Sequence, residues 1–194
     1  MYYSLKNRER GFTLIELLIA MAISGIVLSA IVSTFIIQRK SYDVQEQITE
    51  MVQSARAAMD MMTREIRMAG YDPTGAGFDG IPYNDSQLQI FTDLNDDGTP
   101  DDSNENITYT YDGTNLQIDR NTGGGGQPFA ENIQSFIFAY LDSAGSATTT
   151  TADIRQIQIT IIARTAKRDP DYSPNGGYRT YTLTSLITPP NLAF

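Results

Sequence analysis

Two groups of carboxylates in this chain stand where a carboxylate must find a partner. The first is a single residue. Glu16 is the only charged side chain in residues 12–37, FTLIELLIAMAISGIVLSAIVSTFII, a run of 26 residues. An ionised carboxyl at the centre of a membrane span costs about 2.5–3.5 kcal/mol on insertion scales, so Glu16 calls for a cation or a hydrogen-bond donor. A cut just before Phe12 would create one, because the new α-amino group of one chain could meet Glu16 of its neighbour in a helix bundle.

The second group lies in residues 93–105, DLNDDGTPDDSNE. Asp93, Asn95 and Asp97 hold the first, third and fifth places, Gly98 the sixth, Thr99 the seventh and Asp101 the ninth. A hard cation takes six to eight oxygens wrapped closely around it, and a glycine at the sixth place permits the sharp turn. The twelfth place is Asn104, with Glu105 one residue late, and the flanking residues pattern as strands. The expectation is therefore a calcium-clasped hairpin loop using Asp93, Asn95, Asp97, Thr99, Asp101 and Glu105, not an EF-hand. A solvated acidic turn rich in Asp, Asn and Gly is the alternative.

Other chemistry is scarce. The chain has no cysteine and no histidine, which removes thiolate nucleophiles, imidazole bases, disulfides and the usual zinc ligand sets. Gly123–Gly126 lacks the Lys-Ser/Thr of a phosphate loop. No nucleophile elbow or acid pair stands out, so catalysis is not expected. Net charge is −9, and phosphate contacts need a basic footprint, so direct nucleic-acid binding is not expected either.

The elements that must position these groups follow from periodicity. Residues 12–37 span roughly 39 Å as a helix, longer than a hydrocarbon core of ~30 Å. Gly25, Ser29 and Ser33 recur every four residues and place small side chains on one face, where neighbouring helices can approach. Beyond them Val44, Ile48, Met51, Ala55, Met59, Met62, Ile66 and Ala69 step by three or four, the stripe of an amphipathic helix. Gly70 followed by Tyr71-Asp72-Pro73 ends it. With no break between the two halves, one helix of about 57 residues is the economical reading.

After Pro73 the apolar period changes to two. Leu88 and Ile90, then Ile107, Tyr109 and Tyr111, then Leu116 and Ile118 alternate. Further runs carry Phe136, Phe138 and Tyr140, then Ile157, Ile159 and Ile161, then Tyr181, Leu183 and Ile187. Asp112-Gly113 signals a hairpin. Six strands in an antiparallel sheet laid on the helix give an α+β fold. The expected divisions are a leader at 1–11, an apolar helix at 12–37, its amphipathic continuation at 38–72 and a β-rich head at 73–194.

The short basic leader MYYSLKNRERG followed by Gly11-Phe12-Thr13-Leu14-Ile15-Glu16 resembles the class III signal of type IV pilins and type II secretion pseudopilins. The resemblance implies a pilin-like fold. It also implies cleavage between Gly11 and Phe12 by a prepilin peptidase, N-methylation of Phe12 by the same enzyme acting as methyltransferase, and assembly directed by Glu16 beside Thr13. Residues 39–46 and 62–71 are similar to PilW-like minor pilins, with J-type pseudopilins as the nearest rivals. Many major pilins carry proline where Ser33 stands, and its absence favours a minor subunit.

The implied partners are other pilins, met through the N-terminal helix, and an inner-membrane assembly platform. The implied location is the inner membrane as a single-pass precursor with a cytoplasmic leader, and then a pilus reaching the cell surface. Arg39 and Lys40 on the far flank of the apolar run weaken charge-based support for that orientation. A membrane-tethered binding protein is the reading from a different class, and a tether gains nothing from Glu16.

Overall fold

The computed structural model describes residues 11–192, and the leader residues 1–10 lie outside the described residues. The element order is one helix followed by seven strands, with short 3-10 turns between them. Helix α1 runs Leu14–Met68 without interruption, 55 residues, as the absence of proline and of interior glycine after Gly25 anticipates. It stays helical through Gly25, Ser29 and Ser33. The chain divides into two compact units, Met1–Gln45 and Glu46–Phe194.

In the first unit the described residues are 11–45: Gly11, Phe12 and Thr13, then α1 from its apolar part to Gln45. The large apolar side chains from Phe12 to Ile37 are all exposed. A helix that is apolar all round and covered by nothing is long and apolar enough to cross a membrane.

Among the described residues, the buried core lies in the second unit. The expected stripe on α1 packs inward: Met51, Ala55, Met59, Met62, Ile66 and Ala69 are buried, joined by Ala58, while Ile48 is partly buried against them. Gly70 (φ 72°) ends the helix in the left-handed region that glycine tolerates, and its N–H donates to Phe91 O at 2.9 Å. A side chain at Gly80 would strike the Gly70 backbone at 2.3 Å, so the chain can cross the helix end there only as glycine.

Two antiparallel sheets form in place of the single sheet expected. The first is β1 (Gln87–Phe91), β2 (Asn106–Asp112), β3 (Gln117–Asn121) and β4 (Gln127–Glu131), in that spatial order. The second is β5 (Ile133–Leu141), β6 (Gln156–Arg164) and β7 (Thr180–Ile187), also in order. Strand β4 was not legible: Pro128 and a glycine-rich approach mask it, and of its five side chains only Ala130 is buried and Phe129 partly buried. The split follows from Asn132, whose φ of 58° turns the chain between β4 and β5.

Alternation within strands follows the sequence pattern. Ile157, Ile159, Ile161 and Ala163 of β6 are all buried. Phe136, Phe138 and Tyr140 stack along β5 with ring centroids 5.5 and 5.7 Å apart. Asp112-Gly113 does lie in a hairpin. The connection is four residues long, with the Asp112 carboxylate accepting the N–H groups of Thr114 (2.8 Å) and Asn115 (3.1 Å).

Candidate functional site

At the N-terminus, Gly11 and Phe12 precede α1 and are exposed, and nothing lies within 4 Å of where a Gly11 side chain would be. Thr13 is the residue before the first helical turn and Glu16 is the third within it. The two close a reciprocal cap. The Thr13 N–H and hydroxyl donate to Glu16 Oε2 at 2.8 and 2.9 Å, and the Glu16 N–H donates to Thr13 Oγ1 at 3.3 Å. Such a capping box satisfies donors that the first turn cannot pair internally, and a carboxylate there also complements the positive end of the helix dipole.

The partner that the sequence demanded for Glu16 is thus supplied in part by its own chain. Both donors reach Oε2. Removing residues 1–11 would leave this cap untouched, since each of its atoms belongs to Thr13 or Glu16.

Further along, the Ser29 hydroxyl donates to Ile26 O at 2.8 Å and the Ser33 hydroxyl to Ser29 O at 2.9 Å. Their polarity is satisfied within the helix. With Gly25, which has open space beside it, they leave a narrow, exposed, apolar-compatible strip.

The acidic loop connects β1 to β2 and sits on the C-terminal end of α1, held by the Asp93 N–H donating to Tyr71 O at 2.8 Å. The six expected cation ligands divide between buried and exposed positions. Glu105 and Asp93 are buried, 2% and 0% exposed. Glu105 accepts the N–H groups of Leu94 (2.8 Å), Asn95 (3.1 Å) and Asp102 (3.3 Å). Asp93 accepts those of Gly98 (3.0 Å) and Asp97 (3.3 Å). These two carboxylates act as internal struts, which is how a charged group is tolerated under a loop.

The exposed part of the loop gathers a different set. Carboxylate oxygens of Asp97, Asp101 and Asp102 lie within 4.8 Å of one another. The Asn95 side-chain amide donates to Asp97 (3.0 Å) and Asp102 (2.7 Å). The Thr99 hydroxyl lies 2.9 Å from Asp97 and 2.8 Å from Asp101. Asp102, absent from the expected ligands, joins Asp97 and Asp101 in this exposed group. The Thr99 N–H, with the Asn95 amide and the Thr99 hydroxyl, holds the Asp97 carboxyl below the usual carboxylate range. These side chains offer the oxygens a hard cation uses.

One polar cluster escaped the sequence reading. Glu65 of α1 receives Arg120 of β3 through Nη2–Oε1 (2.7 Å) and Nε–Oε1 (3.1 Å), and it also accepts the Tyr109 hydroxyl of β2. Burial and the Glu65 charge push the Tyr109 hydroxyl pKa far up. Glu65 lies beside the apolar stripe, and only its position against two strands that are distant in sequence reveals it.

Comparison with known proteins adds identity. A family model described as the prokaryotic N-terminal methylation motif matches residues 6–32. A second, described as prepilin peptidase-dependent protein B, matches residues 44–188, most of the chain. No curated protein matches. Among solved structures, a type IV-like pilin from Thermus thermophilus aligns with 75% of this chain and 100% of its own at 14% identity, with a TM-score of 0.48. The methylation motif falls on the Gly11–Glu16 segment and its apolar helix, and the second family covers the amphipathic helix and both sheets. The chain belongs to the prepilin peptidase-dependent protein B family, as a type IV pilin-like protein.

Proposed function

We propose that the chain is a minor, PilW-like subunit of a type IV pilus, with a structural role and no catalytic one. In this reading a prepilin peptidase cuts between Gly11 and Phe12 and methylates the Phe12 amine. The apolar part of α1 then leaves the membrane to pack among the helices of other pilins. The observation that carries the reading is the Thr13–Glu16 cap at the head of an uncovered apolar helix, inside the matched methylation motif.

The cap holds the Glu16 carboxylate at the helix end through Oε2 and leaves Oε1 to accept a neighbour's α-amine. The Gly25, Ser29 and Ser33 strip gives close approach to adjacent helices. Heads attached by such helices are carried along a filament from the inner membrane toward the cell surface.

Mass spectrometry of the full chain, expressed with and without a prepilin peptidase, tests the maturation step. A mature product beginning at a methylated Phe12 is expected only with the enzyme, and an uncut chain in both cases would overturn the reading. Gene disruption tests the machine. Loss of surface pili with intact protein secretion is expected, whereas loss of secretion with intact pili would assign the chain to a type II secretion system as a J-like pseudopilin.

We further infer that the outer part of the acidic loop takes calcium, through Asp97, Asp101 and Asp102 with Asn95 and Thr99. The convergence of three exposed carboxylates at one point supports it, since without a cation they repel one another.

A further inference from the structure

The chain has 14 basic residues against 23 acidic ones, so carboxylates outnumber the cations they could pair with. Arg120 and Arg179 are paired, with Glu65 and Asp169. Arg164 and Arg168 are not. Among the described residues neither guanidinium has an ion-pair or hydrogen-bond partner, and Arg164 Nε is buried with no acceptor. An unmet buried donor costs about 1–3 kcal/mol, and it is the kind of group that an ion or ligand completes.

Both arginines lean on one ring. The guanidinium carbon of Arg164 lies 4.2 Å from the centre of the Tyr178 ring and that of Arg168 lies 5.5 Å from it. The two are therefore no farther apart than those distances together, a gap that one tetrahedral oxyanion bridges. Stacking on tyrosine stabilises each cation, but it gives their N–H groups no acceptor and sets no negative charge beside them.

The frame that holds them is pinned. Arg164 ends β6 and, next to the buried Ala163, projects from the opposite face of the sheet. In the loop to β7 the Thr165 N–H donates to Arg179 O (2.9 Å) and the Thr165 hydroxyl to Lys167 O (3.0 Å). The Lys167 N–H donates to Gln47 Oε1 of α1 (2.9 Å), and the Asp169 N–H to Gly177 O (2.7 Å). Gly177, at φ 93°, returns the chain so closely that a side chain there would sit 3.4 Å from Arg168 Cβ. The acid nearest in sequence, Asp169, is buried and receives Arg179 Nε and Nη2 at 3.0 and 2.8 Å.

We propose that Arg164 and Arg168, held on the Tyr178 ring, form a binding site for a phosphate group. Charge selects the class of ligand. Both cations are permanent, so a group with a single negative charge, such as a simple carboxylate, leaves one of them unmatched. A phosphate carries close to two charges at neutral pH and offers several oxygens to two planar donor forks. Lys167, exposed beside Arg168, adds a third positive charge at the rim. The rest of a chain carrying −9 repels an extended polyanion, which favours one phosphate group over a nucleic acid. That group arrives either as free phosphate or as the headgroup of a phosphomonoester lipid. The proposal stands on the head and does not depend on which filament or secretion machine the chain serves.

The full chain in uncharged detergent provides the test, with inorganic phosphate as the probe. Phosphate should raise the melting temperature, and acetate at the same ionic strength should not. Arg168→Gln, at an exposed position, should leave the melt without phosphate unchanged and weaken phosphate binding about tenfold in calorimetric titration, the scale of a lost hydrogen bond to a charged group. Arg164→Lys keeps the charge but not the fork and should also weaken binding, while Arg56→Gln on α1 should change nothing. Mixed micelles holding phosphatidic acid separate the sources: binding there without a response to inorganic phosphate assigns the lipid headgroup, and a response to inorganic phosphate assigns the free ion. Equal effects of acetate and phosphate with no binding to phosphatidic acid, no binding in either arm, or binding indifferent to both arginine substitutions would overturn the proposal.

Discussion

The Arg120 guanidinium of β3 lies 2.7 Å from the Glu65 carboxylate of α1, bridging helix and sheet across 55 residues of sequence. Both side chains are mostly buried, Arg120 20% and Glu65 14% exposed, and the Tyr109 hydroxyl completes the cluster. Removing one member strands a charge in a partly dry place. Arg120→Ala is expected to lower unfolding free energy by about 3 kcal/mol, the low end for a broken buried pair. The double change Glu65→Leu with Arg120→Leu should cost less than the single one. Denaturant unfolding of the three variants measures the difference.

Glu105 supports the acidic loop from beneath, and its effect should separate from that of calcium. Glu105→Ala leaves the N–H groups of Leu94, Asn95 and Asp102 without their acceptor. The expected loss is about 2 kcal/mol, the scale of leaving buried donors unsatisfied, and it should appear with or without calcium.

Calcium itself should raise the melting temperature of the native chain. The triple change Asp97→Asn, Asp101→Asn, Asp102→Asn should keep the fold and abolish that rise. Calorimetric titration giving no heat with the native chain would rule calcium out.

Alkaline pH should destabilise the head. Burial pushes the Tyr140 hydroxyl, which donates to Asn84 O at 2.9 Å, up to about 12, and Tyr109 is raised further. A tyrosine whose pKa is higher in the folded state holds its proton longer than the unfolded chain does. Its contribution is whole below about 10, the unfolded value, and is lost as pH rises through the folded value. Ultraviolet titration should show Tyr109 and Tyr140 ionising late and together with unfolding, and Tyr140→Phe should remove one late step.

Cleavage should depend on Gly11 for reasons outside the fold. No atom lies within 4 Å of a side chain placed there, so Gly11→Leu should leave the melt of the head unchanged while blocking removal of the leader. Glu16→Val should show the opposite division, with normal cleavage and failed incorporation into filaments. Immunoblots of membrane and sheared-filament fractions check both.

Much of this molecule is local in origin and so could be read directly. The uncovered apolar run, the stripe from Met51 to Ala69, the glycine stop at Gly70 and the period-two strands each follow from side chains a few residues apart. The Thr13–Glu16 cap is of the same kind, since both partners lie in one turn. The family relationship is carried by this short-range pattern as well.

What tertiary structure decided lies between residues distant in sequence. That β4 exists, that Asn132 divides the strands into two sheets, and that Glu65 meets Arg120 and Tyr109 depend on packing rather than on local preference. The acidic loop shows the division most directly. Its spacing named six oxygen-bearing residues, and folding onto the end of α1 buried Asp93 and Glu105 against backbone donors while gathering Asp97, Asp101 and Asp102 at the surface. Spacing records which oxygens are near in sequence. Only the packed loop determines which of them face water, because a buried carboxylate must take its hydrogen bonds from the chain around it.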